Sequence, residues 1–125
     1  MFKNLTIISL LGLLSVILGA FGAHALEDKL TVEALDSYET AVRYQMYHVI
    51  ILLIINLYSG FSAKQKKIAS YLFIIGILFF SGSIYCIQLT SITAKSIWFI
   101  TPLGGLFLIL GWGYLVALFI KKAKK

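Results

Sequence analysis

The chain has 125 residues, 60% of them hydrophobic and 13% charged, against about 25% charged in an average soluble domain. Sixteen charged side chains cannot coat a soluble core of this size. The composition therefore excludes a soluble enzyme, a disulfide scaffold and a nucleic-acid module, and it predicts an all-α integral membrane protein.

A membrane-crossing helix needs about 20 mostly apolar residues at about 1.5 Å each. Four runs qualify: 5–25, 41–60, 68–89 and 97–120. Short connections between them predict a single transmembrane domain over 1–125, folded as an antiparallel four-helix bundle. The first run starts near Lys3 and carries an Ala-x-Ala pattern at Ala23-His24-Ala25, as a signal peptide does. Its apolar stretch exceeds the roughly 7–15 residues of such a leader, so it is read as a span. Ser15, Gly19 and Ala23 recur every four residues, a small-residue stripe that lets helices approach closely in lipid.

An amphipathic lead-in over 32–40 precedes the second run. Thr31 can cap this helix, and nothing stops it before Ser59-Gly60. About 28 residues rise about 42 Å, against an apolar core of about 30 Å. The turns from Val32 to Glu39 must then project from the membrane or lie along its surface. Ser62 and Gln65 fit a capping box, which starts the third helix inside a lysine-rich loop. On that helix Gly76 and Ser83 share a face, and Cys86 stands alone as a small packing residue. Thr101-Pro102 fits an N-cap followed by proline at the first position of a fourth helix ending near Lys121. Trp98 and Phe99 then sit in the interface. The alternative is one helix from Ser96 with a kink at Pro102. Gly104 and Gly111 share a face of this last helix.

Orientation follows from the bases. Lys3, Lys64, Lys66, Lys67, Lys121, Lys122, Lys124 and Lys125 fall on one side of a four-span chain. Lys29, Arg43 and Lys95 fall on the other. Eight against three predicts both termini in the cytoplasm, with the acidic first loop outside.

Measured along each helix, His24, Glu39, Gln88 and Thr101 lie near the outer boundary, with Arg43 a turn deeper. His48 lies about 12 Å below that boundary. These six are the candidate ligand-binding residues. An Arg inside the boundary needs a partner. One reading is a Glu39–Arg43 ion pair at the favourable i,i+4 spacing. The other is a cationic pocket, in which Arg43, His24 and free amides at Pro102–Gly105 hold a phosphate or carboxylate. The depth offset of His24 and His48 argues against haem, and no close carboxylate set or thiolate completes a metal site. No cofactor is expected. No nucleophile–base spacing indicates an enzyme. The expected partners are membrane lipids, with a homo-oligomer or membrane-protein partner as a further role and no nucleic acid. A small oligomeric transporter is the rival, but every acid lies between Glu27 and Glu39, leaving no embedded carboxylate for ion coupling.

Four blocks, one per helix, carry a family resemblance. They are Gly19-Ala-Phe-Gly-Ala-His-Ala25, Glu39-Thr-Ala-Val-Arg-Tyr-Gln-Met-Tyr-His48, Phe80-Ser-Gly-Ser-Ile-Tyr85, and Ile100-Thr-Pro-Leu-Gly-Gly105 with Gly111-Trp112. The chain resembles the small membrane proteins of domain of unknown function family 423, also catalogued as uncharacterised protein family 0382. The resemblance implies a four-helix protein of the bacterial plasma membrane and implies no activity. The lysine-rich tail is the one departure from the pattern.

Overall fold

The computed structural model describes residues 2–125. Its elements are α1 (Phe2–His24), α2 (Val32–Leu57), α3 (Ala63–Leu89) and α4 (Ile100–Ala123), with no strand among the described residues. All four are long and apolar enough to cross a membrane.

Local chemistry sets most helix ends. The Thr31 hydroxyl accepts from Ala34 N at 3.1 Å and caps α2. At α3 the capping box forms in full: Ser62 N donates to Gln65 Oε1 at 3.0 Å, and Gln65 N donates to Ser62 Oγ at 3.2 Å. Two ends differ from expectation. Helix α2 stops at Leu57 rather than at Ser59-Gly60, because Tyr58 turns extended while its N–H closes the last turn on Ile54 O. Helix α4 starts at Ile100, so Thr101 does not cap it and Pro102 is not its first residue. Proline is tolerated there because it still lies in the first turn, where N–H groups have no partner inside the helix. Neither an N-cap at Thr101 nor a helix from Ser96 describes this end.

Among the described residues, close backbone approach runs only between chain neighbours: α1 with α2, α2 with α3, and α3 with α4. Helices α1 and α4 make no such approach. Helices α3 and α4 interlock most tightly. A Cβ on Gly104 would lie 2.2 Å from Phe80 N, and one on Gly76 would lie 2.4 Å from the Leu108 side chain. One on Gly111 would lie 2.7 Å from the Phe73 ring. These pairs step along the two helices in antiparallel register, and the Ser83–Thr101 hydroxyl pair at 2.5 Å continues the series. Small residues thus bring two helices together in a medium that supplies no hydrophobic drive.

Helix α1 buries Ile8, Ser15 and Gly22, seven residues apart. The expected four-residue stripe is corrected at Ala23, which is exposed. Gly22 takes its place, packed under the Tyr38 ring, while a Cβ on Gly19 would meet only Val42 Cγ1 at 3.2 Å. Polar rungs tie this apolar interface. Tyr38 Oη donates to Leu18 O at 2.5 Å, Ser15 Oγ to Val42 O at 3.2 Å, and Gln45 Nε2 to Leu11 O at 2.7 Å. Cys86, expected to pack inside, is exposed.

Candidate functional site

At the acidic end, the start of α2, the end of α3 and the start of α4 enclose a groove of about 310 Å³. Its polar wall is Asp36, Ser37, Thr40, Gln88 and Thr101, and Ile84, Ile87 and Ala94 supply apolar surface. Helical spacing builds both walls. Asp36 and Thr40 are one turn apart on α2, and Ile84, Ile87 and Gln88 share a face of α3. Thr101 is brought in because its hydroxyl is paired with Ser83, which fixes the first turn of α4 against α3.

Arg43 stands beside the groove without lining it. Its Nη2 donates to Thr40 Oγ1 at 3.1 Å, and its Nη1 lies 3.8 Å from Glu39 Oε2. Both side chains are half exposed, at 48% and 49%. Thr40 in turn donates to Asp36 O at 2.9 Å. One polar chain thus runs from Glu39 through Arg43 and Thr40 to the groove.

The six candidate residues do not form one site. Gln88 and Thr101 line the groove, and Glu39 and Arg43 flank it. His24 is exposed at the end of α1, a helix that among the described residues packs closely on α2 alone. The amides proposed at Pro102–Gly105 are not free, because α4 begins earlier: Leu103 N bonds Phe99 O, and Gly104 lies against the α3 backbone. A pocket built from Arg43, His24 and those amides is therefore not what the helices assemble.

His48 belongs elsewhere. It is 5% exposed and packs against Phe73 and Trp112. Its Nδ1 donates to Tyr44 O at 2.6 Å, so Nε2 is the acceptor for Trp112 Nε1 at 3.1 Å. Both ring nitrogens are occupied, and the ring links α2 to α4. A second buried network centres on Gln45, which reaches Leu11 O with its amide N–H and accepts from Tyr85 Oη at 2.7 Å. One side chain on α2 thereby joins α1 to α3. Sequence reasoning missed Ser37 and the apolar lining, though the shared face of Asp36 and Thr40 was readable from their spacing.

The profile of the family described as "Protein of unknown function (DUF423)" matches residues 18–105, most of the chain. The chain belongs to this family. The matched stretch of this DUF423 protein contains every groove residue and both buried networks except Leu11 and Trp112. A UPF0382 membrane protein of Staphylococcus epidermidis is 46% identical over 105 residues, covering 84% of each chain. A UPF0382 membrane protein of Haemophilus influenzae is 38% identical over 110 residues, covering 88% of this chain and 87% of its own. The UPF0382 membrane protein YwdK of Bacillus subtilis is 39% identical over 113 residues, covering 87% and 89%. No solved structure matches.

Proposed function

We propose that this DUF423 chain is a non-enzymatic protein of the bacterial plasma membrane, with both termini in the cytoplasm, that holds the polar head of a lipid or small amphiphile in the groove at its outer end. The groove carries this reading. It combines hydroxyl, amide and carboxylate groups with apolar walls at the edge of the spans, as an amphiphile's two halves require. Arg43, half exposed beside Thr40, adds a positive charge at the rim, and Asp36 a negative one inside. A head bearing both charges, or several hydroxyls, matches that lining better than a simple anion.

Mass spectrometry of molecules that co-purify through a detergent wash tests the reading. The native chain is expected to retain an amphiphile enriched over the bulk membrane extract. The double variant Thr40→Val with Gln88→Leu, which removes polar groups while keeping size, is expected to lose it. Equal retention by that variant, or no enrichment in the native chain, rejects the outer groove as a binding site.

A further inference from the structure

The opposite end of the molecule holds a second and larger cavity. The start of α1, the end of α2 and one face of α3 enclose about 450 Å³. Asn4, Asn56, Lys66, Lys67, Ser70 and Tyr71 form its polar lining, and Phe61 and Ile74 its apolar lining. It lies in the gap left because α1 and α3 each pack closely on α2 but not on one another.

The hydrogen-bond inventory of the lining is incomplete in a specific way. Asn56 and Ser70 are 3% and 5% exposed. Asn56 Nδ2 donates to Leu52 O at 2.9 Å and to Ser70 Oγ at 3.0 Å, which uses both amide hydrogens. Its Oδ1 receives no donor among the described residues. Among the described residues no buried side-chain polar atom is sealed without a partner, so this oxygen opens into the cavity that Asn56 lines. The Ser70 hydroxyl accepts from Asn56 and keeps its own hydrogen. Lys66 Nζ donates to Asn56 O at 2.9 Å, and two further N–H groups remain. Lys67 is exposed, with Nζ 5.9 Å from the centre of the Tyr71 ring. The cavity thus offers several donors, two positive charges and one buried acceptor.

Charge decides the sign of the occupant. Antiparallel helices gather eight lysines at this end, while all five acidic side chains lie between residues 27 and 39 at the other. No side-chain carboxylate is placed to neutralise Lys66 or Lys67. We propose that this cavity binds the head of an anionic phospholipid that carries a free hydroxyl, as phosphatidylglycerol does. The phosphodiester lies between Lys66 and Lys67, the head hydroxyl donates to Asn56 Oδ1, and an acyl chain follows the apolar gap between α1 and α3. The site is independent of the groove at the acidic end.

Native mass spectrometry of the full chain in a non-ionic detergent tests this, by titration with short-chain phosphatidylglycerol or phosphatidylcholine. One phosphatidylglycerol per chain is expected, with phosphatidylcholine bound more weakly. Lys66 also supports the end of α2, so Lys67 carries the test. Lys67→Gln is expected to weaken phosphatidylglycerol binding about fivefold, the effect of one interfacial lysine. Lys67→Glu is expected to weaken it about twenty-five-fold by the same scale, and Lys67→Arg to restore it. Lys124→Glu makes an identical charge change at a residue that does not line the cavity and is expected to have less than about a twofold effect, because without contact with the bound head its charge acts only through screening solvent. Equal binding of the two lipids overturns the proposal, as does an equal loss in Lys67→Glu and Lys124→Glu, which marks diffuse attraction. Displacement of the lipid by glycerol phosphate at the same concentration overturns it too, and assigns the cavity to a soluble anion.

Discussion

At the scale of single residues, exposure separates the Glu39–Arg43 pair from His48, both of which stood out in the sequence. Arg43 and Glu39 are half exposed and 3.8 Å apart, which is the geometry of a surface i,i+4 pair. Such pairs contribute about 0.3–0.5 kcal/mol, well short of the several kcal/mol that follow from breaking a buried pair. A double-mutant cycle on Glu39→Gln and Arg43→Gln is therefore expected to give a coupling energy below about 0.5 kcal/mol in detergent. Coupling above about 2 kcal/mol would show that the pair is buried in the membrane-embedded protein. His48 is the contrasting case. It is nearly sealed, its two nitrogens each have a partner, and its role is to join α2 to α4. Histidine spacing and depth in the sequence could weigh against haem but could not reveal a tryptophan 64 residues away as the partner.

At the scale of helices, a glycine is least replaceable where a neighbouring backbone comes close. Gly104 faces the backbone of Phe79 and Phe80, which cannot swing away as a side-chain tip can. Gly113, on the same helix, has nothing within 4 Å of an added Cβ. Gly104→Ala is expected to cost about 3 kcal/mol, the upper end for overpacking. Gly113→Ala should be neutral or slightly stabilising through better helix propensity. Melting temperatures of the two variants in one detergent check this, and equal values would mean that α3 and α4 separate easily. The sequence identified Gly76, Gly104 and Gly111 as contact residues from their spacing and placed Gly19 with them. Only the first three meet a neighbour within 3 Å. The stripe on α1 went astray at Ala23 because four-residue and seven-residue spacings both keep to one helical face, and the choice between 22 and 23 depends on which way α2 crosses.

At the scale of the molecule, charge is segregated along the bundle axis, with acids at one end and eight lysines at the other. This asymmetry predicts cytoplasmic termini. In a Cys86→Ser background, single cysteines at Ser62 and at Ala123 are expected to resist a membrane-impermeant thiol reagent in intact cells, while a cysteine at Asp28 reacts. Labelling at Ser62 and Ala123 with protection at Asp28 reverses the orientation. The two cavities lie at these two ends, so reversal would exchange the leaflets they face without altering either lining.

The sequence by itself determined the number of helices, their apolar character, two of their caps and the family. Each helix and each cap is set within about 20 consecutive residues by hydrophobic length or local hydrogen bonding, and the family by one motif block on each helix. Tertiary structure alone decided that α1 and α4 stay apart, that α4 begins before Thr101, and that Arg43 stands outside the groove that Thr40 lines. It also decided that Gln45 joins three helices and that Asn56 leaves an acceptor open at the lysine-rich end. These depend on the rotation and register of helices against each other. Small residues permit many such arrangements, and only the summed fit of distant side chains selects one.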